Sequence, residues 1–492
     1  MGSSHTSTIQ NSTASLSTMP TQILEPLQKA LEINLDSNTY GSFAEIGAGQ
    51  EVAQYFFKAG ASSGTIAKTI SAYDKLVSDD IYGVEKMGRY VCESRLYKML
   101  DHEYTLMVER LSAARPKCRL FAFADTVETL NYHKTNKGQG WLGLRFQLHP
   151  QDEPNELVMH IELLDNDTSL QQQAVGMLGV NIVYGCYHYH DDYTKLMRSL
   201  LEGIRNRVKI DLLRIQGPQF QMVDNRLVAL ELVKQGMTKV AMIDANGMPV
   251  HPSEFMYKHN ALVVRGSFRP ATLRTLDRIK AAAQQFEAEE DLSPRGTSIL
   301  TEMTLKDLSR DTGKVDTKDY LDRISLLNYL GQYVMISNCE QYKSLIDYLS
   351  AYRVAKLGIV IGAKSLLDII NRNYYRNRDG RLLTSYGEIF TLNVRILVYP
   401  SYSEGGDKLM TCKNLPIPEG IRFLYKHIME NRHVIDIEHY DPSLLKIYSI
   451  DVLNRLREDE EGWEDYVTPK VARYIKTNHL FGFPSPNMEF EY

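Results

Sequence analysis

From about Ile210 onward the chain alternates short apolar runs with amphipathic segments, and this alternation restricts the fold more than any other feature of the sequence. Strand-like runs lie at Lys209–Ile215, Val240–Ile243 and Ala261–Arg265, with helical patterns over 224–235 and 270–286 and a short helix between them. The first helix opens on Asp224 and stops at Gly236, residues that satisfy or release backbone groups left unpaired at helix ends. Further runs at Ser298–Met303, Tyr333–Ser337, Leu357–Ile361 and Val394–Val398 alternate with helical patterns over 317–330, 340–352 and 364–371. Strands separated by helices of this length need crossover connections. The pattern therefore predicts an α/β fold, with mostly parallel sheets built from βαβ units.

The 492 residues are enough for two or three domains, and the order of patterns suggests where they divide. Residues 1–21 are Ser/Thr-rich and read as a disordered tail without the basic and apolar stretches of a secretory signal. Gly2 and Thr6 fit a short N-myristoylation pattern that also arises by chance. A helical N-terminal region is expected over 22–115 and an α/β domain over 116–286. The charged, Pro- and Gly-containing stretch 287–298 (EAEEDLSPRGTS) is expected as a linker, 299–480 as a second α/β domain and 481–492 as a C-terminal tail. With 56 Lys and Arg against 61 Asp and Glu, no charge excess points to nucleic acid or an anionic membrane surface. The five scattered cysteines form no C-x-x-C pair, which fits a reducing, cytoplasmic setting.

In open parallel sheets, ligands sit beyond the carboxyl ends of strands, so residues just past those ends are the first candidates. Asp125 and Asp244 each follow an apolar run. They read as a catalytic carboxylate pair serving as acid and base or holding Mg²⁺ beside a phosphate, or else as helix caps. Arg265, Asn338, Gly362, Lys364 and Ser365 read as cofactor- or phosphate-binding residues. Gly362-Ala-Lys-Ser opens a helix directly after a strand, where free amides favour an anion; the other reading is a tight turn with a solvated lysine. His188 and His190 (HYHDD) would point to one side of a strand, as metal ligands do, with Asp165 or Asp167 as a third; otherwise they form a polar rim. Gly47-Ala-Gly49 lacks the third glycine of a dinucleotide fingerprint, and Gly60 to Thr69 misses the P-loop spacing.

The blocks FAEIGAGQEVA, GTIAKTISAYD, FAFADTVET, MLGVNIVYG, NRLVALELVKQG, LVVRGSFRPAT and LDRISLLNYLGQYVMISN resemble an uncharacterised bacterial family over Lys29 to Phe483. Its members are usually labelled nicotinate-nucleotide adenylyltransferase and sometimes TonB-dependent receptor. The first label implies an α/β nucleotidyltransferase with H-x-G-H and S-x-T-x-x-R motifs. Neither motif is present: His149 is followed by Pro-Gln, and Ser267-Phe-Arg-Pro-Ala-Thr-Leu-Arg has other spacing. The second label implies an exported barrel of many alternating strands, which this sequence does not show. The expectation is a cytoplasmic protein that binds or acts on a nucleotide or other small phosphorylated ligand, with nucleotidyl transfer as the family label suggests. The alternative is a non-catalytic scaffold forming homo-oligomers, since no complete catalytic motif is present.

Overall fold

Two sheets organise the chain, and in both the central strands are covered on each side. The computed structural model describes residues 24–85, 88–370, 381–391, 393–403, 406 and 408–484. The first sheet contains β1 (Thr39–Gly47), β2 (Ile66–Ile70), β3 (Arg119–Glu128), β4 (Gly138–Phe146), β5 (Asn155–Leu163) and β6 (Val208–Gln216). Their order is β2-β1-β3-β4-β5-β6, with β1 parallel to β2 and β3 and the remaining neighbours antiparallel. Helices α1 (Pro26–Leu35), α2 (Val52–Ala59), α5 (Thr168–His188) and α6 (Tyr193–Leu200) bury one face. Helices α3 (Lys75–Tyr82) and α4 (Glu93–Leu111) pack on the other, against Trp141 and Leu212.

The second sheet holds β7 (Val240–Ile243), β8 (Pro249–Val250), β9 (Asn260–Arg265), β10 (Thr297–Thr304), β11 (Tyr333–Ser337), β12 (Lys356–Gly362), β13 (Val394–Tyr399) and β16 (Val434–Asp436). A small ribbon of β14 (Ser401–Tyr402) and β15 (Leu409–Met410) stands apart. The order is β16-β13-β12-β9-β10-β11-β7-β8, parallel from β16 to β11 and antiparallel at β7 and β8. Helix α7 (Asn225–Lys234) connects the sheets, and the four-residue α8 (Pro252–Phe255) follows β8. Helices α9 (Leu273–Glu287), α10 (Leu305–Leu308) and α11 (Thr317–Tyr329) lie over one face. Helices α12 (Tyr342–Ser350), α13 (Ala363–Ile370), α14 (Arg381–Ile389) and α15 (Arg422–Glu430) lie over the other. The end of the chain, α16 (Ser449–Arg457) and α17 (Pro469–Asn478), closes a small core around Trp463.

The α/β expectation holds, with three differences in detail. The first sheet, expected as mostly parallel, is antiparallel from β3 to β6, where successive strands β3, β4 and β5 are joined directly without crossover helices. The N-terminal region expected as helical contains β1 and β2. β1 is buried along nearly its whole length, so it lacks the polar–apolar alternation that marks a half-exposed strand. The stretch 287–298, expected as a linker, runs between α9 and β10 inside the second sheet, and the chain crosses between sheets at 217–239. Its charges are anchored: Lys356 Nζ lies 3.4 Å from Glu289 and 2.5 Å from Asp291, and Arg395 Nε lies 3.0 Å from Glu289. The expected tail 1–21 and the last eight residues lie outside the described residues.

Close packing of α5 on α2 depends on Gly179, where a Cβ would come 2.4 Å from Val52. Gly179→Val is expected to lower unfolding free energy by about 1–3 kcal/mol, through overpacking of a dense interior, in urea melts. An unchanged midpoint would contradict this packing.

Candidate functional site

At the seam between the sheets three donor side chains converge. His160 lies on β5, Asp211 on β6, and His251 between β8 and α8. β5 and β6 are antiparallel, and their register slips between His160 and Ile161: His160 faces Leu212 while Ile161 faces Ile210. Asp211 is thus the extra residue of a β-bulge. A bulge turns its residue out of strict alternation. Leu213 and Ile215 go to the core under α5, whereas Asp211 joins His160 and Leu212 on the opposite side.

His160 Nδ1 lies 2.7 Å from Asp211 Oδ1, and His251 Nε2 lies 3.4 Å from Asp211 Oδ2. Ser253 Oγ meets His251 Nδ1 at 2.7 Å and orients the ring. The two imidazoles are tilted against each other at 3.8 Å between centroids, with Trp141 and Tyr352 at their edges. One donor atom from each of the three residues falls within 4.8 Å of the others, and all three residues are buried. Among the described residues this is the group with the composition and spacing of a metal centre. Two imidazoles and a carboxylate are the donor set of a catalytic site that keeps coordination positions open.

Burial alone would raise Asp211, but the charge and hydrogen bonds of His160 and His251 outweigh it and hold the carboxyl well below its usual range. Burial, with His160 alongside, brings His251 down to about 4, so its ring is neutral at physiological pH. Lys209 Nζ stands 3.9 Å from Asp211 Oδ2. The cluster forms part of the wall of a cleft of about 1470 Å³ whose lining comes from both sheets. Seven lysines and arginines line it against four aspartates and glutamates, so the lining carries a net positive charge.

The residues singled out by sequence are distributed differently. Asp125 and Asp244 stand on different sheets. Asp125 sits inside β3, and Asp244 directly follows β7, where its Oδ1 accepts from the amides of Asn246 and Met248 at 2.9 and 2.8 Å to hold the hairpin turn. Arg265 forms a two-pronged pair with Glu302, at 2.8 and 2.9 Å, and donates to the Cys339 carbonyl. Asn338 follows β11, Gly362 ends β12, and Lys364 and Ser365 open α13 just after it, so with Arg265 they share the carboxyl edge of the second sheet. His188 ends α5 and stacks on Tyr184, while His190 follows the helix. The strand geometry expected for the His188/His190 pair is therefore absent. His160 and Asp211 lie inside strands, where strand-end reasoning does not reach; the signal for them is a histidine and an aspartate within the apolar runs LVMHIEL and IDLLRI.

Asp125 instead neighbours Glu45, its register partner on β1. It is fully buried and neither of its oxygens has a hydrogen-bond partner. Glu45 accepts from the amides of Val52 at 2.8 Å and Ala53 at 3.4 Å and so takes the start of α2. A Cβ at Gly49 would come 2.1 Å from Asp125 Oδ1, and one at Gly47 2.3 Å from the Val127 carbonyl. The Gly-Ala-Gly turn is thus a packing device over β3.

No family model and no curated protein matches the chain. Among solved structures, it is similar to the competence/damage inducible protein CihA from Agrobacterium tumefaciens, at 16% identity over 33% of this chain and 97% of that one, with a TM-score of 0.24. It is also similar to a CinA-superfamily protein from Klebsiella pneumoniae, at 10% identity over 33% and 95%, TM-score 0.25. A third is a CinA-superfamily protein from Escherichia coli, at 17% identity over 31% and 82%, TM-score 0.22. At such TM-scores these likenesses bear on neither fold nor chemistry. Among the described residues no helix is long and apolar enough to cross a membrane.

Burial raises Glu45 from 4.5 to about 7, and burial together with the Glu45 charge raises Asp125. The folded protein therefore holds these protons more tightly than the unfolded chain. The resulting stability is fully present below about pH 4.5 and is lost as pH rises through about 7. Asp125→Asn, which cannot ionise, is expected to shrink the fall in Tm across that window. Equal falls in variant and wild type would show that the pair is already ionised.

Proposed function

We propose that the protein binds and acts on a small phosphorylated ligand, of the nucleotide class, in the cleft between the sheets, with a divalent cation held by His160, Asp211 and His251. The observation that carries this reading is the convergence of two imidazoles and one carboxylate on a large cleft whose lining carries excess positive charge. A cation at such a site supplies Lewis acidity toward a phosphoryl or carbonyl oxygen and lowers the pKa of a bound water. The chain's own residues set the conditions for that chemistry. Asp211 stays ionised and His251 neutral, so both are ready to ligate without first losing a proton. Ser253 fixes the His251 ring through its other nitrogen, as partners of ligating histidines do. Lysines and arginines along the cleft receive the ligand's phosphates. The reading includes nucleotidyl transfer, as the label of the uncharacterised family that the sequence resembles suggests. All five cysteines are buried and unpaired, which supports a reducing location such as the cytoplasm.

The test combines metal analysis with thermal unfolding. After chelation and dialysis, wild-type protein is expected to take up about one equivalent of Zn²⁺ or Mn²⁺ by elemental analysis, and Asp211→Asn and His160→Ala to lose at least about tenfold in affinity. With metal present, one of ATP, NAD or nicotinate mononucleotide at about 100 times its Kd should add about 2.7 kcal/mol to stability. If wild type retains no metal and no nucleotide shifts its Tm, the reading fails and a scaffold role becomes the better account.

A further inference from the structure

A second cavity, of about 330 Å³, lies just beyond the carboxyl end of β9. On the β9 side, this place adjoins the point where the strand order reverses. From β9 the chain moves to β10 on one side, and from β12, on the other side of β9, it moves away to β13. The carboxyl ends of β9 and β12 therefore flank the point where strand order reverses, where open parallel sheets leave a crevice. Gly266, Ser267 and Phe268 form one wall, the first turns of α9 a second, and Tyr448 to Ile450 at the start of α16 a third.

Arg274 and Arg278, one turn apart on α9, both line this cavity, and among the described residues no Asp or Glu does. Arg278 Nε is buried and meets no acceptor. Arg274 reaches the Ile447 carbonyl, at 3.5 Å, and the rings of Tyr448 and Tyr399, at 5.3 and 6.0 Å, but among the described residues no carboxylate. Other arginines of the interior and its margin differ in being paired with carboxylates. Arg95 lies 3.1 Å from Asp79, Arg323 3.0 Å from Asp307 and 2.5 Å from Asp319, and Arg265 2.8 Å from Glu302. Burial without a partner, next to the Arg274 charge, brings Arg278 down to about 10. Arg278 is half-buried, and a cation whose buried Nε meets no acceptor carries a desolvation cost that an anion supplied from outside would offset.

The surroundings fit that anion. Thr272 caps α9, accepting from the Thr275 amide at 3.4 Å, and the helix directs its positive end here. Gly266 leaves room for the guanidinium, since a Cβ there would come 2.8 Å from Arg278 Nη2. Guanidinium forks match the oxygens of a phosphoryl group, and Ser267, Thr272 and Ser449 add hydroxyls. We propose that this cavity is a second anion site, separate from the cleft, in which Arg274 and Arg278 bind the phosphoryl group of a small phosphorylated metabolite. Ile450, 56% exposed, and the Tyr448 ring offer an apolar wall for its organic part.

Isothermal titration of the full chain with inorganic phosphate, ribose 5-phosphate and ribose tests this. Wild type is expected to bind the phosphorylated probes and not ribose; tighter binding of ribose 5-phosphate would identify an ester, and equal binding free phosphate, as the source of the group. Arg278→Met and Arg274→Gln should each lose at least tenfold in affinity. Arg278→Met should also unfold at a higher Tm than wild type in phosphate-free buffer, because it removes the unpaired cation. Should that variant fail to fold, Arg278→Lys keeps the charge but not the fork and should bind measurably more weakly. Asp211→Asn, which disables the cleft, should leave this binding unchanged, so the two sites succeed or fail separately. Binding that is absent in wild type, or unaltered in all three arginine variants, overturns the proposal.

Discussion

A carboxylate removed from water has to be answered, and Asp211 is answered by imidazoles from both sides of the seam. His160 comes from the neighbouring strand of the first sheet, and His251 from the turn after β8 of the second. The same seam carries Arg214, which donates from Nε to the Pro249 carbonyl at 2.8 Å and pairs with Glu93 of α4. These polar contacts tie the halves together where apolar packing alone would leave them free to slide. The cleft inherits its floor from this junction, so assembling the two sheets and assembling the site are one event.

The protein separates its uses of buried charge into two kinds. Arg265 with Glu302, Arg323 with Asp319 and Lys356 with Glu289 are closed pairs that satisfy one another. Asp125 and Arg278 are open: among the described residues no cation pairs with the one and no carboxylate with the other. Closed pairs specify which segments meet. Open groups hold electrostatic potential that a proton, in the case of Asp125, or a bound anion, in the case of Arg278, can discharge.

Much of the second half was legible because its strands and helices carry their periodicity and caps in sequence: Asp224 and Gly236 bracket α7 as the residues suggested. β1 was not, because full burial removes the alternation that betrays a strand. The site was harder still. Strand-end reasoning led to Arg265, Asn338 and Lys364, which do share the carboxyl edge of the second sheet. It could not lead to Asp211, whose orientation depends on a one-residue slip against β5 that no local pattern encodes. Nor could it foresee that Asp244 would be occupied by its own turn.

That slip also bears on how the strand can vary. A strand that buries Leu213 and Ile215 without a bulge would send residue 211 inward beside them, into the apolar layer under α5. The length of β6 is therefore part of the chemistry. A change of one residue between Val208 and Leu213 would conserve every side chain type and still leave His160 and His251 facing one another with no anion between them. In this protein the spacing of the chain, as much as the identity of its residues, determines whether there is a centre at all.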